Sequence, residues 1–205
     1  MNILAIGSHP DDLEYGCGGT LIKFKNAGHK IFLFVLTKGE VGGDPEKRFS
    51  EQKKVAARLG AKLFTGNFGD TKIQLTKELI NNIEHIIKKT SPNLIFGHYP
   101  EDTHQDHRNV AQATITATRY ARNVLFYEVP TSINFSPSVF VDVRKTIKQK
   151  FLILGMHRSQ VQATKVAGLS ILESVRSCAI FRGFQNRVKY AEGFTPLRLA
   201  LDFNI

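Results

Sequence analysis

The residues best suited to chemistry in this chain stand in two short windows. One reads Ser8-His9-Pro10-Asp11-Asp12-Leu13-Glu14, and the other His98-Tyr99-Pro100-Glu101-Asp102-Thr103-His104-Gln105-Asp106-His107. Three of the seven histidines lie in the second window and a fourth in the first, all among carboxylates. Taken singly, each has an ordinary explanation. Asp11 and Asp12 could simply open a helix, where carboxylates cap free N–H groups and meet the positive end of the macrodipole. His104 and His107, three apart, could share a solvated face. Taken together they offer what a catalytic metal needs: a few imidazoles and carboxylates converging from separate segments, with a coordination position left open. His9 and Asp12 are three apart across a Pro turn, and His107 can reach them from a neighbouring strand end. Two histidines and one carboxylate suit zinc, the first choice for hydrolysis, and equally suit iron(II).

Asp11, His104 and Asp106 then stand beside the metal without being needed as ligands. Hydrolysis of an amide requires a base for the attacking water, and Asp11, next to Asp12, is placed for that. The tetrahedral intermediate carries an oxyanion and must expel an amine. A protonated His104 would stabilise the first and protonate the second, with Asp106 holding its imidazole charged.

A scaffold has to bring these windows together. With 205 residues, 42% hydrophobic and 22% charged, the chain can build one real core, and no repeat or linker divides it, so a single domain over 1–205 is expected. Short apolar runs alternate with helix-period segments, the pattern of an α/β fold with a mainly parallel sheet and helices on both faces. Strands are expected at 2–7, 30–37, 61–64, 93–98, 124–129 and 140–143. Helices are expected at 13–27, stopped by Gly28, at 45–59, ended by Gly60, and at 76–90, 106–120 and 144–154; residues 159–188 read as helix. In such a sheet ligands bind beyond the carboxyl ends of the strands, where strand order reverses. Both windows follow strands and fall on that edge.

His9-Pro-Asp-Asp-Leu-Glu, followed by Gly16-Cys-Gly-Gly-Thr20-Leu and by His104-x-x-His107, resembles the LmbE/PIG-L family of metal-dependent N-acetylglucosamine deacetylases. Thr37-Lys-Gly-Glu40, Arg48-x-x-Glu51 with Ala56-Ala-x-x-Leu-Gly60, His157-x-Ser-Gln160 and Tyr190-Ala-Glu-Gly-Phe194 extend the similarity over roughly the whole chain. The resemblance implies a Rossmann-like sheet and removal of an acetyl group from an N-acetylglucosaminyl compound. It implies His9, Asp12 and His107 as metal ligands, Asp11 as general base and His104 as transition-state stabiliser and acid. Asp106 would orient His104, and Arg48 would contact substrate. A related hydrolase cleaving another small amide or carbamoyl group is the alternative. The partner implied is a small N-acetylated amino sugar conjugate, and a homo-oligomer is compatible with the family.

Other classes fit less well. Cys17 and Cys178 are too few for a disulfide framework or a four-cysteine zinc site. Gly16-Cys-Gly-Gly19 lacks the Gly-x-Gly-x-x-Gly spacing and falls inside a helix, so it reads as a close-packing device, and there is no P-loop. His29, His85 and His98 read as ordinary surface or loop residues, and Cys17 as a core thiol. Lys and Arg exceed Asp and Glu by 28 to 18, a net charge of +10, which raises nucleic-acid binding. The basic residues are dispersed, with no run of five and no interleaved aromatics, so the surplus reads instead as a field that steers an anionic sugar. Iron-dependent oxygenases favour all-β barrels. No segment reaches the ~18–20 apolar residues of a membrane span, and the first residues lack the pattern of a secretory signal, so a cytoplasmic protein is expected.

Overall fold

The computed structural model describes residues 1–200, in the element order β1 (Asn2–Gly7), α1 (Asp12–Asn26), β2 (Lys30–Val35), α2 (Pro45–Leu59), β3 (Lys62–Thr65), α3 (Lys77–Thr90), β4 (Leu94–His98), α4 (Gln105–Ala117), β5 (Val124–Tyr127), β6 (Val139–Asp142), α5 (Ile147–Gly155), α6 (Ile171–Gln185) and β7 (Ala191–Arg198). A single 3-10 turn, Glu40–Gly42, stands between β2 and α2. The strands form one sheet in the order β3-β2-β1-β4-β5-β7-β6. β1 to β5 run parallel, and β7 is antiparallel to both β5 and β6.

Alternation along the strands assigns the two faces. Ile3, Ala5, Leu33 and Val35 pack with Leu13 and Leu21 of α1, Val55 of α2, Ile153 of α5 and Val175 of α6. Leu4, Ile6, Phe34 and Leu36 pack with Leu79, Ile83 and Ile86 of α3 and with Val110 and Ala113 of α4. The sheet is therefore covered on both sides, as near-continuous apolar runs such as residues 3–6 and 31–35 require. Helix ends follow their local chemistry. Asp44 accepts from the amides of Glu46 and Lys47 ahead of Pro45, and Gly60 takes the left-handed conformation that closes α2.

The Gly-rich stretch of α1 lies against the sheet and β7. A Cβ at Gly16 would stand 2.1 Å from the Tyr127 ring, and one at Gly19 2.9 Å from Val143. These contacts explain the glycines as packing rather than ligand binding. Beside them, buried Glu192 accepts from the amides of Gly19 and Thr20 at 2.8 and 2.7 Å and pairs with buried Lys150, which also donates to the Tyr15 carbonyl.

Two expectations change. Residues 159–188 are not one helix: α6 begins at Ile171, after a capping box between Ser170 and Glu173. The strand β7 was not expected at all. It inserts between β5 and β6 and makes that end of the sheet antiparallel.

Candidate active site

β1 and β4 are neighbours, β2 and β3 extend from β1 on one side, and β5 extends from β4 on the other. The strand order thus reverses between β1 and β4, where their carboxyl ends leave a crevice. The β1–α1 loop carries His9, Asp11 and Asp12 into it, and the β4–α4 segment carries His104, Asp106 and His107.

His9 Nδ1 lies 3.2 Å from His107 Nε2 and 3.5 Å from Asp12 Oδ2, while His107 Nε2 lies 3.5 Å from Asp12 Oδ1. All three residues are buried. The far side of each is already engaged. Asp12 Oδ2 accepts from the amides of Ser8 and His9, at 3.1 and 2.8 Å, and lies 3.1 Å from His98 Nε2. His107 Nδ1 meets Asp102 at 3.2 Å and the Thr131 hydroxyl at 3.3 Å. His9 Nε2 meets Asp70 at 3.0 Å and Asp106 at 3.1 Å. Carboxylates behind a ligating imidazole fix the proton on the outer nitrogen and leave the inner lone pair for a metal. Three acceptors at these spacings repel one another unless a proton or a cation lies between them. A tetrahedral ion with bonds of ~2.0–2.1 Å sets its ligand atoms roughly 3.3 Å apart. The donor set therefore fits zinc, and its chemistry fits iron(II) as well. His9, His104 and Asp106 also have donor atoms within 4.8 Å of one another. In that group Asp106 already accepts from the amides of Thr71 and Ile73, and His104 Nδ1 accepts from the amide of Asp106.

The electrostatics follow from this crowding. Burial opposes charge on His9, but hydrogen bonds to Asp106, Asp12 and Asp70 raise its pKa well above the ordinary value. His107 likewise rises to about 9 against burial, through Asp12 and Asp102. Asp12 resists burial and is held well below the usual carboxylate range by His107 and His98. Burial and the adjacent Asp12 push Asp11 up to about 6, with Arg48 opposing. The side chain of Asp11 is 23% exposed, so it faces the crevice, and its backbone has φ 98°, ψ −24°. A non-glycine residue there costs on the order of 1–3 kcal/mol, strain that marks functional turns.

Each predicted residue can now be placed. His9, Asp12 and His107 converge, with Asp11 beside them. His104 caps α4, half-buried, its ring centroid 4.8 Å from that of His9 and 4.6 Å from that of His107. Its pKa is lowered, first by burial and then by His107 and His9. The Asp106 carboxylate turns away from the expected partnership with His104 and binds His9, Thr71 and Ile73 instead. Arg48 does not reach into open space for a substrate. It is buried, donating to the carbonyls of Gly39 and Pro10 at 2.6 and 3.0 Å and lying 3.4 Å from Asp11 Oδ2. A Cβ at Gly39 would stand 2.3 Å from its guanidinium.

His98, expected as an ordinary surface or loop residue, is fully buried at the end of β4. Burial, with His107 stacked on it at 4.1 Å, lowers its pKa to about 4, so it stays neutral against Asp12. Asp102 and Asp70 were passed over in the sequence. Both lie in loops at the functional edge, which was the available signal. Cys17 is a core thiol as expected, and burial pushes its pKa well up and removes thiolate reactivity.

The model of the PIG-L family, described as GlcNAc-PI de-N-acetylase, matches residues 4–118, more than half of the chain, and spans His9, Asp11, Asp12, His104 and His107. The chain belongs to this family. A PIG-L relative from Escherichia coli K12, the uncharacterised deacetylase YaiS, is 35% identical over 167 residues, covering 77% of this chain and 90% of its own. The diacetylchitobiose deacetylase of Thermococcus kodakarensis is 30% identical, covering 95% and 83%. Among solved structures, the conserved protein TT1542 from Thermus thermophilus superposes with a TM-score of 0.85 at 27% identity, over 98% of this chain and 97% of that one. The PIG-L fold thus extends through β7, beyond the segment that the family model covers.

Proposed function

We propose that this PIG-L protein is a zinc-dependent N-deacetylase that releases acetate from an N-acetylglucosaminyl compound. The observation that carries the reading is the convergence of His9 Nδ1, Asp12 and His107 Nε2, each braced from behind, beside a partly exposed carboxylate with a raised pKa. The deacetylases among its relatives support the choice of bond.

His9, Asp12 and His107 would hold the metal, which when bound acts as a Lewis acid on water and on the amide carbonyl. Asp11 takes a proton from water as its oxygen bonds to the carbonyl carbon, giving a tetrahedral oxyanion. In neutral His104 the Asp106 amide occupies Nδ1, so the ring proton sits on Nε2. From there it donates to the oxyanion without needing a positive charge. Collapse breaks the C–N bond as Asp11 returns its proton to the departing amine, leaving acetic acid and a free amine, which separate as acetate and an ammonium sugar once the acid's proton passes to the amine. Arg48 holds the Pro10 carbonyl and the Asp11 carboxylate in place during both transfers.

The test is release of acetate and amine in equal amounts from free, phosphorylated, nucleotide-linked and thiol-linked N-acetylglucosamine, with zinc supplied. Asp11→Asn should lower kcat by about 10²–10⁴ with zinc binding retained. An Asn variant with full activity would remove Asp11 from the mechanism, and failure of every acetylated sugar would overturn the substrate class.

A further inference from the structure

His9 has one nitrogen facing Asp12 and His107 and one facing away, and two carboxylates from different segments compete for the outer one. Asp106, on α4, lies 3.1 Å from Nε2, and Asp70, in the loop after β3, lies 3.0 Å from it. In neutral His9 a single Nε2–H is shared between them. Asp70 is itself held firmly. Its other oxygen accepts from the amide of Val41 at 2.9 Å, and its own amide donates to Glu40 at 2.7 Å. Glu40 and Val41 form the 3-10 turn at the rim of the crevice, and that turn is tied down further by Arg48 at Gly39 and by Gln160 at Gly42. Asp70 is buried, whereas Glu40 and Val41 are exposed. A reciprocal pair of hydrogen bonds thus links an exposed rim to a buried imidazole through one carboxylate.

We propose that Asp70 is a positioning residue for His9, holding the imidazole together with Asp106 so that Nδ1 points at Asp12 and His107, and coupling the order of the 39–43 rim to metal affinity. The inference rests on the reading of His9 as a metal ligand. Asp106 alone would leave the ring hinged on one bond; a second acceptor from an independent loop fixes its plane. Outer partners of ligating histidines typically contribute 10–100-fold to metal affinity.

Asp70→Asn isolates this role. An amide can accept from His9 or from Val41 but meets the other N–H with its own NH₂, so one of the two bonds is lost with almost no change in volume. Zinc affinity is measured by competition with a chromophoric chelator, and cobalt(II) is substituted to read ligand geometry from its visible absorption. The expected result is a 10–100-fold weaker zinc affinity and an altered cobalt spectrum, with little change in thermal unfolding of the metal-free protein. Wild-type affinity together with a wild-type cobalt spectrum overturns the proposal. Should Asp70→Asn fail to fold, Glu40→Ala, an exposed change that frees the Asp70 amide, carries the test. A several-fold loss of zinc affinity supports the coupling, and an unchanged affinity and spectrum overturn it. His9→Ala separates the two levels of inference. If wild type binds one zinc and His9→Ala binds none, the metal site stands whatever Asp70 does. If wild type binds no zinc, the site and the role of Asp70 fall together.

Discussion

Two buried groups of charged residues, one at the start of α1 and one at its Gly-rich middle, are built on opposite plans. Near the Gly-rich stretch, Lys150 and Glu192 face each other, and the Tyr15 carbonyl and the amides of Gly19 and Thr20 add further hydrogen bonds to the pair. Every charge there meets its complement. At the carboxyl end of β1, His9, Asp12 and His107 are saturated only on their outer atoms, and their inner atoms point at one another. The first cluster is closed and holds α1, α5 and β7 together. The second keeps its inner atoms turned toward one another and is held so by its neighbours. Burial and charge alone do not distinguish a site from a structural pair; the direction of the unsatisfied valence does.

The sharpest way to break this comparison is to open the closed cluster. Lys150→Met leaves Glu192 buried without its cation, and the expected loss is about 3–5 kcal/mol in urea unfolding. A loss below ~1 kcal/mol would mean that the pair is not desolvated as described. The complementary experiment closes the open cluster. Zinc at 100 times its Kd should stabilise the wild-type protein by about 2.7 kcal/mol, seen as a rise in Tm, and His107→Ala should abolish the rise. An equal rise in the variant would move the metal elsewhere. The smallest effect is expected where charges pair in water. Lys38 and Glu46 meet at 2.6 Å with side chains 48% and 73% exposed, and Lys38→Ala should cost less than ~0.5 kcal/mol, a difference that fades with added salt.

The proposed ligands were the easiest to read in the sequence, because metal ligation would demand particular side chains at particular spacings. His9, Asp12 and His107 needed only their types and the strand-end rule. The residues behind them were harder. His98 closes a strand, and nothing local distinguishes a histidine facing Asp12 from one facing solvent; only the register of β4 beside β1 does. Asp70 and Asp102 stand in loops whose path is set by tertiary contacts. The role assigned to Asp106 failed for a similar reason: proximity to His104 in sequence placed its amide there, while its carboxylate follows the loop at Thr71 and Ile73.

The strands β1 to β4 were equally legible, since each is a short run rich in apolar residues with a helix after it. β7 was not. Its sequence, Ala-Glu-Gly-Phe-Thr-Pro-Leu-Arg, contains Gly193 and Pro196, which argue against an interior strand. It is accommodated because the register with β5 shifts between Val124 and Leu125, beside Pro196. The length of α6 was overestimated because its apolar residues do not gather on one face. Phe181 and Phe184 are 57% and 72% exposed, while Val175 and Ala179 are buried.

The position of β7 also orders events in time. Among the described residues it is the last strand of the sheet to be synthesised, yet it sits between two strands made earlier. All the proposed ligands and their strands are present once residue 107 has emerged, but β5 keeps an open edge and β6 has no neighbour until Ala191–Arg198 arrives. A nascent chain that pauses before that point holds all the proposed ligands and an open strand edge, that of β5, two places away from β1. That edge can recruit another chain, so the vulnerable step of biosynthesis lies in closing the sheet and not in assembling the chemistry.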